Sequence, residues 1–345
     1  MERYEHGGDI YAHPHVQLDF SVNTHPLGMP EVVREALIAR VAEFAKYPDT
    51  ECRALCAAIS AQESIPEEWV VCGNGAADLI YRLCYAIKPK QALLCAPTFS
   101  EYERALTQVG CTVDFHFLRE EEQFALTRRT CEQLTPDIDM LFLCHPNNPT
   151  GRLIPKEVMK SILHRAHENR TTVVVDECFL GFTEGASAKE YLRDMPSLVV
   201  LKAFTKLYGM AGLRLGYLLA SDEALLQSVR ACGQCWSVSA PAQVAGLAAL
   251  GCTDWQAEAR SLTFAEWRFL AEGMQQLGIT VYQSDANFLL LRSEQPLYEP
   301  LLRKGILIRR CENFPSLDET YYRIGVKTRA ENTCLLQAMK ELYHG

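Results

Sequence analysis

The stretch Phe204-Thr205-Lys206-Leu207-Tyr208-Gly209-Met210-Ala211-Gly212-Leu213-Arg214-Leu215-Gly216-Tyr217 sets a lysine just after one apolar run and an arginine at the start of another. Residues 197–201 and 214–220 have the length and apolar content of buried strands, and glycines punctuate the loop between them. A buried lysine gives up its proton readily and becomes a nucleophilic amine. An arginine this near along the chain can grip, with two parallel hydrogen bonds, a phosphate on whatever the lysine attacks. Either residue alone reads equally well as a surface lysine or half of a structural ion pair. The whole string is what points to chemistry.

On either side the chain alternates short apolar runs with helical patterns. Strands are expected at 69–72, 91–95, 111–117, Met140–Cys144 and 171–176, and helices at 76–88, 100–109 and 155–169. Strands separated by helices imply right-handed crossovers, hence an α/β fold with a mostly parallel sheet covered on both faces. The last third changes character. A long helical pattern runs over 255–277, short strands are expected at 280–282, 287–292, 306–309 and 321–326, and a helix at 329–343. This predicts a large α/β domain over 46–251. A smaller α+β domain takes 252–345 and the N-terminal arm, 1–45. Ligands in such sheets bind at the carboxyl ends of the strands, where every motif below falls.

The 345 residues carry a formal charge of −9, which argues against a nucleic-acid partner. Any anionic substrate then needs a local basic pocket. The N-terminus lacks the apolar core of a signal peptide, and no apolar run approaches membrane-spanning length, so a cytoplasmic protein is expected. There its 14 cysteines would stay reduced, and Cys84, Cys95 and Cys144 read as small core side chains. Cys232-Gly-Gln-Cys235 has no second pair at zinc-ribbon spacing, so no metal is expected.

Three further motifs read as chemistry or as ordinary structure. Val173-Val174-Val175-Asp176 ends a buried strand on a carboxylate that needs a partner, or else caps a helix. Gly73-Asn74-Gly75-Ala76 turns from a strand into a helix N-terminus, whose free N–H groups suit an anion. His145-Pro146-Asn147-Asn148-Pro149-Thr150-Gly151 is turn chemistry at a strand end.

Taken together and in this order, the motifs resemble those of the pyridoxal-phosphate-dependent aminotransferases of the aspartate aminotransferase fold, fold type I. That resemblance spans nearly the whole chain. It implies a seven-stranded large-domain sheet, pyridoxal 5′-phosphate as cofactor, and Lys206 as the lysine that binds it as a Schiff base. It further implies Asp176 on the pyridinium nitrogen and Asn148 on the phenolic oxygen. Phe99 would stack on the ring, and Gly75, Ala76, Thr205 and Arg214 would hold the phosphate. Similar enzymes are homodimers, in which Tyr47 of Tyr47-Pro48-Asp49 would reach the partner's cofactor phosphate. Three departures stand out. Ala203 replaces a hydroxyl residue three before the lysine, with Lys202 as a nearby substitute; Phe179 stands where many relatives have Tyr; and His25 interrupts an Asn-x-Asn-Pro string.

Within the family the chain looks most like threonine-phosphate decarboxylase, then histidinol-phosphate aminotransferase. Arg323 would bind the substrate carboxylate, and Asn23 belongs to the same matching strings. His6 and Arg309, with Lys327 nearby, would hold a substrate phosphate. The expected reaction is therefore decarboxylation of a phosphorylated hydroxy-amino acid, L-threonine O-3-phosphate to the aminopropanol phosphate of cobalamin. The second reading is an aminotransferase, and the third a non-catalytic cofactor-binding regulator. The bond at Cα held perpendicular to the cofactor ring is the one that breaks, and the sequence does not reveal that angle.

Overall fold

The computed structural model describes residues 6–344. In chain order its strands are β1 (Leu18–Asp19), β2 (Val70–Gly73), β3 (Gln91–Ala96), β4 (Thr112–Phe117), β5 (Met140–Cys144), β6 (Thr172–Asp176), β7 (Leu198–Ala203), β8 (Gly216–Ala220), β9 (Thr280–Val281), β10 (Phe288–Arg292), β11 (Ile306–Leu307), β12 (Arg309–Arg310) and β13 (Tyr321–Gly325). β2 to β8 form one seven-stranded sheet, ordered β2-β8-β7-β6-β5-β3-β4. β3 to β7 pair in parallel; β8 runs antiparallel to both its neighbours, β2 and β7. The α/β fold expected from the alternating pattern is present, with one reversed strand.

Continuous apolar runs suit strands buried on both faces. Leu141, Leu143, Val173 and Val175 join the core on one face, with Val33 of α1 (Glu31–Ala39), Leu55 and Ile59 of α2 (Arg53–Glu63) and the helix Ala240–Leu250. Phe142 and Val174 point the other way. They meet Leu79, Ile80 and Leu83 of α3 (Ala76–Ile87), and Tyr102 and Leu106 of α4 (Glu101–Gln108). Each such fully buried aliphatic side chain contributes about 2 kcal/mol of transfer free energy.

The reversed strand gathers the site. β2 and β7 both end opposite Gly216, the first residue of β8, through the pairs Gly73↔Gly216 and Ala203↔Gly216. Arg214, just before a strand that starts at this edge, therefore arrives beside Gly75 and Lys206, just after strands that finish there. Gly216 permits the approach: an added Cβ would lie 2.6 Å from the Ala76 nitrogen and 3.0 Å from the Lys202 carbonyl oxygen.

The remaining strands form a four-stranded antiparallel sheet, β12-β13-β10-β9. Leu270, Met274, Leu289, Ile324, Leu335 and Met339 pack it against the helices Trp255–Gln275 and Arg329–His344. β1 pairs in parallel with β11, so the N-terminal arm joins this C-terminal part. The single strand expected over 306–309 is two. The chain changes partner at buried Ile308, from β1 to β13. Among the described residues, no helix is long and apolar enough to cross a membrane.

Candidate active site

The carboxyl edge of the large sheet opens on a cavity of about 500 Å³. Lys206, Thr205 and Arg214 line it from the loop between β7 and β8, Asp176 from the end of β6, and Asn148 from the turn after β5. Ala76 and Phe99 approach from the starts of α3 and α4, and His6, Asn23, Arg309 and Arg323 from the N- and C-terminal parts. Of the residues given a cofactor or substrate role by the resemblance, Gly75, Tyr47 and Lys327 are not in the lining. Gly75 sits just behind it, and Tyr47 lies elsewhere, 80% exposed and stacked on Trp236 at 4.9 Å.

At one end is an anion cradle. Gly75 caps α3 at φ +84°, in the region that favours glycine, and a Cβ there would lie 2.7 Å from an Arg214 guanidinium nitrogen. A guanidinium thus faces the unsatisfied N–H groups of a helix start, the arrangement that binds phosphate.

In the middle, Lys206 Nζ stands 5.7 Å from the Phe179 ring centroid. Burial, with Arg323 and Arg214 nearby, brings its pKa down to about 8. Asp176 is buried and oriented: its Oδ2 accepts from the Tyr102 hydroxyl (2.7 Å) and its Oδ1 from the Cys178 N–H (2.9 Å). Burial, and next the Asp176 charge, push Tyr102 well above the usual phenol range, so the tyrosine remains a donor. An amine that loses its proton easily, a fixed carboxylate and a phosphate cradle fit pyridoxal 5′-phosphate as a set.

At the far end, Arg323 is buried between Asn148 Oδ1, which accepts from its Nη1, and the Ser21 carbonyl, which accepts from Nη2 at 2.8 Å. Burial lowers its pKa to about 10. Its Nε and the Asn23 Oδ1 are buried without a protein partner, polar atoms that a ligand can satisfy. Holding Arg323 through Oδ1 leaves the Asn148 amide nitrogen to donate into the cavity. Arg309, also buried, donates to Asn313 at 2.7 Å, and His6 Nε2 lies 2.8 Å from Glu101 Oε1.

The three departures have physical accounts. Lys202 does not replace the missing hydroxyl near Ala203: its Nζ contacts Glu63 at 2.8 and 2.9 Å and Glu177 at 3.7 Å, in a separate cluster. His25 is neither an exposed turn residue nor part of the cavity lining. It is buried and stacked on Trp255 at 4.5 Å, and burial lowers its pKa to about 4. Its N–H donates to the Lys206 carbonyl (2.9 Å) while Trp255 Nε1 donates to that of Leu207 (2.7 Å), so the pair braces the lysine segment from behind. Phe179 packs edge-on against Phe288 at 5.0 Å.

Sequence reading missed Tyr102 and Glu101. Both lie on a helix whose pattern reads as core, and their partners are 74 and 95 residues away. The proximity of Tyr102 to Phe99 was the available signal. Cys232 and Cys235 are exposed free thiols, and Cys84, Cys95 and Cys144 are buried. No metal-binding group of His, Cys, Asp or Glu occurs among the described residues.

Comparison with known proteins gives one answer at the level of family. Residues 15–339 match the model of the family described as aminotransferase class I and II. A threonine-phosphate decarboxylase of Salmonella typhimurium is 38% identical, over 99% of this chain and 97% of its own. A histidinol-phosphate aminotransferase of Desulfitobacterium hafniense is 33% identical, over 95% of this chain and 91% of its own. Among solved structures, a histidinol-phosphate aminotransferase from Clostridium acetobutylicum superposes with a TM-score of 0.88 at 30% identity, covering 94% of this chain and 99% of that one.

Proposed function

The chain belongs to the aminotransferase class I and II family, and from that premise we propose that it is a pyridoxal-phosphate-dependent decarboxylase of L-threonine O-3-phosphate or a close phosphorylated hydroxy-amino acid. The observation that carries the substrate class is the basic end of the cavity beyond the cofactor cradle: Arg309 and Arg323, paired across β12 and β13, with His6 in the same lining. A small amino acid with a carboxylate at one end and a phosphate at the other satisfies both arginines.

When bound, pyridoxal phosphate supplies an electron sink for the pair left at Cα when a bond there breaks. Lys206 provides the amine that attaches it and the group that moves a proton at Cα. Asp176, fixed by Tyr102, would keep the ring nitrogen protonated. Arg214, Gly75, Ala76 and Thr205 would hold the cofactor phosphate. Phe99 would cover the ring, and Asn148 would donate to the phenolic oxygen. Arg323 turns the substrate carboxylate, and Arg309 and His6 its phosphate, with Asn23 beside them. The angle they impose selects the bond that breaks. The protein acts in the cytoplasm as a homodimer, with exposed Tyr47 serving the partner's cradle.

Aminotransfer from histidinol phosphate is the second reading; the same basic end suits that substrate, and the relative at 33% identity carries that name. One assay separates the two. Purified protein with O-phospho-L-threonine and no keto acid is expected to release CO₂. Turnover that strictly requires a keto acid selects aminotransfer, and no turnover of any amino acid rejects both.

A further inference from the structure

The N-terminal strap reaches the cavity and is pinned at two points. Gly7 lies so close to Ser21 that a Cβ would stand 2.1 Å from the Ser21 carbonyl oxygen, and the Gly8 N–H donates to the Ser21 hydroxyl at 2.7 Å. Ser21 is itself anchored, its hydroxyl on Asp19 at 2.6 Å and its carbonyl on Arg323 at 2.8 Å. His6 then meets α4, where Nε2 is 2.8 Å from Glu101 Oε1 and the ring is 6.0 Å from Phe99.

Glu101 and Asp176 are the two carboxylates in a cavity wall that also gathers Arg104, Arg214, Arg309 and Arg323. Both Glu101 oxygens are engaged: Oε1 by His6 and, at 3.5 Å, Arg104; Oε2 by the Tyr81 hydroxyl at 2.9 Å. The hydrogen bond from His6, then that from Tyr81, hold its carboxyl below the ordinary range. A carboxylate so occupied is a poor ligand for a substrate amine and acts through what it holds. An imidazole tied through one nitrogen presents the other in a fixed direction, and an imidazolium donates through both. Without the tie, a ring on a Gly-Gly strap must be ordered by the ligand at the ligand's expense in affinity.

We propose that Glu101 is a positioning residue that fixes His6 so that Nδ1 serves the distal phosphate of the substrate, making the site selective for phosphorylated amino acids. This rests on the assignment of the phosphate end to His6 and Arg309.

The test titrates full-length holoenzyme with O-phospho-L-threonine and, separately, L-threonine, followed by cofactor absorbance. The wild type, His6→Ala, Glu101→Gln and the double variant are compared. Each single change is expected to weaken O-phospho-L-threonine about tenfold, the worth of one charge-assisted hydrogen bond, and L-threonine far less. The double variant is expected to be no weaker than His6→Ala, because both changes remove one interaction. Equal losses for the two ligands reduce Glu101 to a structural prop. Multiplying losses, about a hundredfold together, make it independent of His6. Either result overturns the proposal, as does a wild type with no preference for the phosphorylated ligand. A wild type that shows the preference and the coupling but releases no CO₂ keeps the positioning role and rejects the decarboxylase.

Discussion

Lys206 and Lys202 are four residues apart and both largely buried, yet their surroundings are opposite. Around Lys202, Glu63 and Glu177 lie within ion-pair distance, Lys189 and the Tyr217 hydroxyl close on Glu63, and Ser187 donates to Glu177. Burial opposes charge at Lys202, but Glu177 and then Glu63 outweigh it and hold its pKa above the ordinary value. Glu63 is correspondingly held down to about 2. Around Lys206 the neighbouring charges include Arg323 and Arg214, and among the described residues no carboxylate forms an ion pair with its Nζ. Asp176 acts on Lys206 only as a lesser opposing charge, so burial alone does not make a lysine reactive; burial without an ion-paired carboxylate does. One cluster locks the ends of β6 and β7 in place, and the other uses the edge that they frame.

The strongest way to break this contrast is to remove each lysine's defining feature. Lys206→Ala is expected to lower kcat by roughly 10⁴-fold and to abolish fixation of cofactor colour by borohydride. Lys202→Met should leave that fixation intact. On the other side, Glu63→Ala strands Lys202 and Lys189 without their shared partner. Urea unfolding should register a loss of about 3–5 kcal/mol, as for breaking one side of a buried ion pair. Tyr102→Phe sharpens the contrast within the cavity. It removes one of two hydrogen bonds orienting Asp176, and kcat is expected to fall about tenfold with the fold unchanged by circular dichroism.

The smallest effect is one of pH. With an amine titrating near 8, cofactor capture by the cofactor-free protein should rise about five-fold from pH 7 to 8 and less than about two-fold beyond. An ordinary lysine would keep gaining about tenfold per unit up to about pH 9. A rate that climbs that way would show Lys206 to be as solvated as any surface lysine.

Which of these features the sequence discloses follows from their range. Val173–Asp176 and Met140–Cys144 read as buried strands because their apolar runs are local, and Lys206 and Arg214 share one loop. The reversal of β8 is not local. Its apolar run reads like that of its neighbours, and only the pairing of Gly216 with both Gly73 and Ala203 reveals its direction. The split of 306–309 is invisible for the same reason, since two partners from opposite ends of the chain impose it. Lys202 is the instructive miss. Next to Ala203 it reads as a phosphate ligand, but strand alternation turns it toward Glu63, 139 residues earlier.

The contrast between the two lysines has one direct readout. Holoprotein is reduced with borohydride, digested, and its peptides are mapped by mass spectrometry. The account predicts the pyridoxyl group on Lys206 alone. A pyridoxyl group on Lys202 or Lys189, or on no lysine, would contradict it.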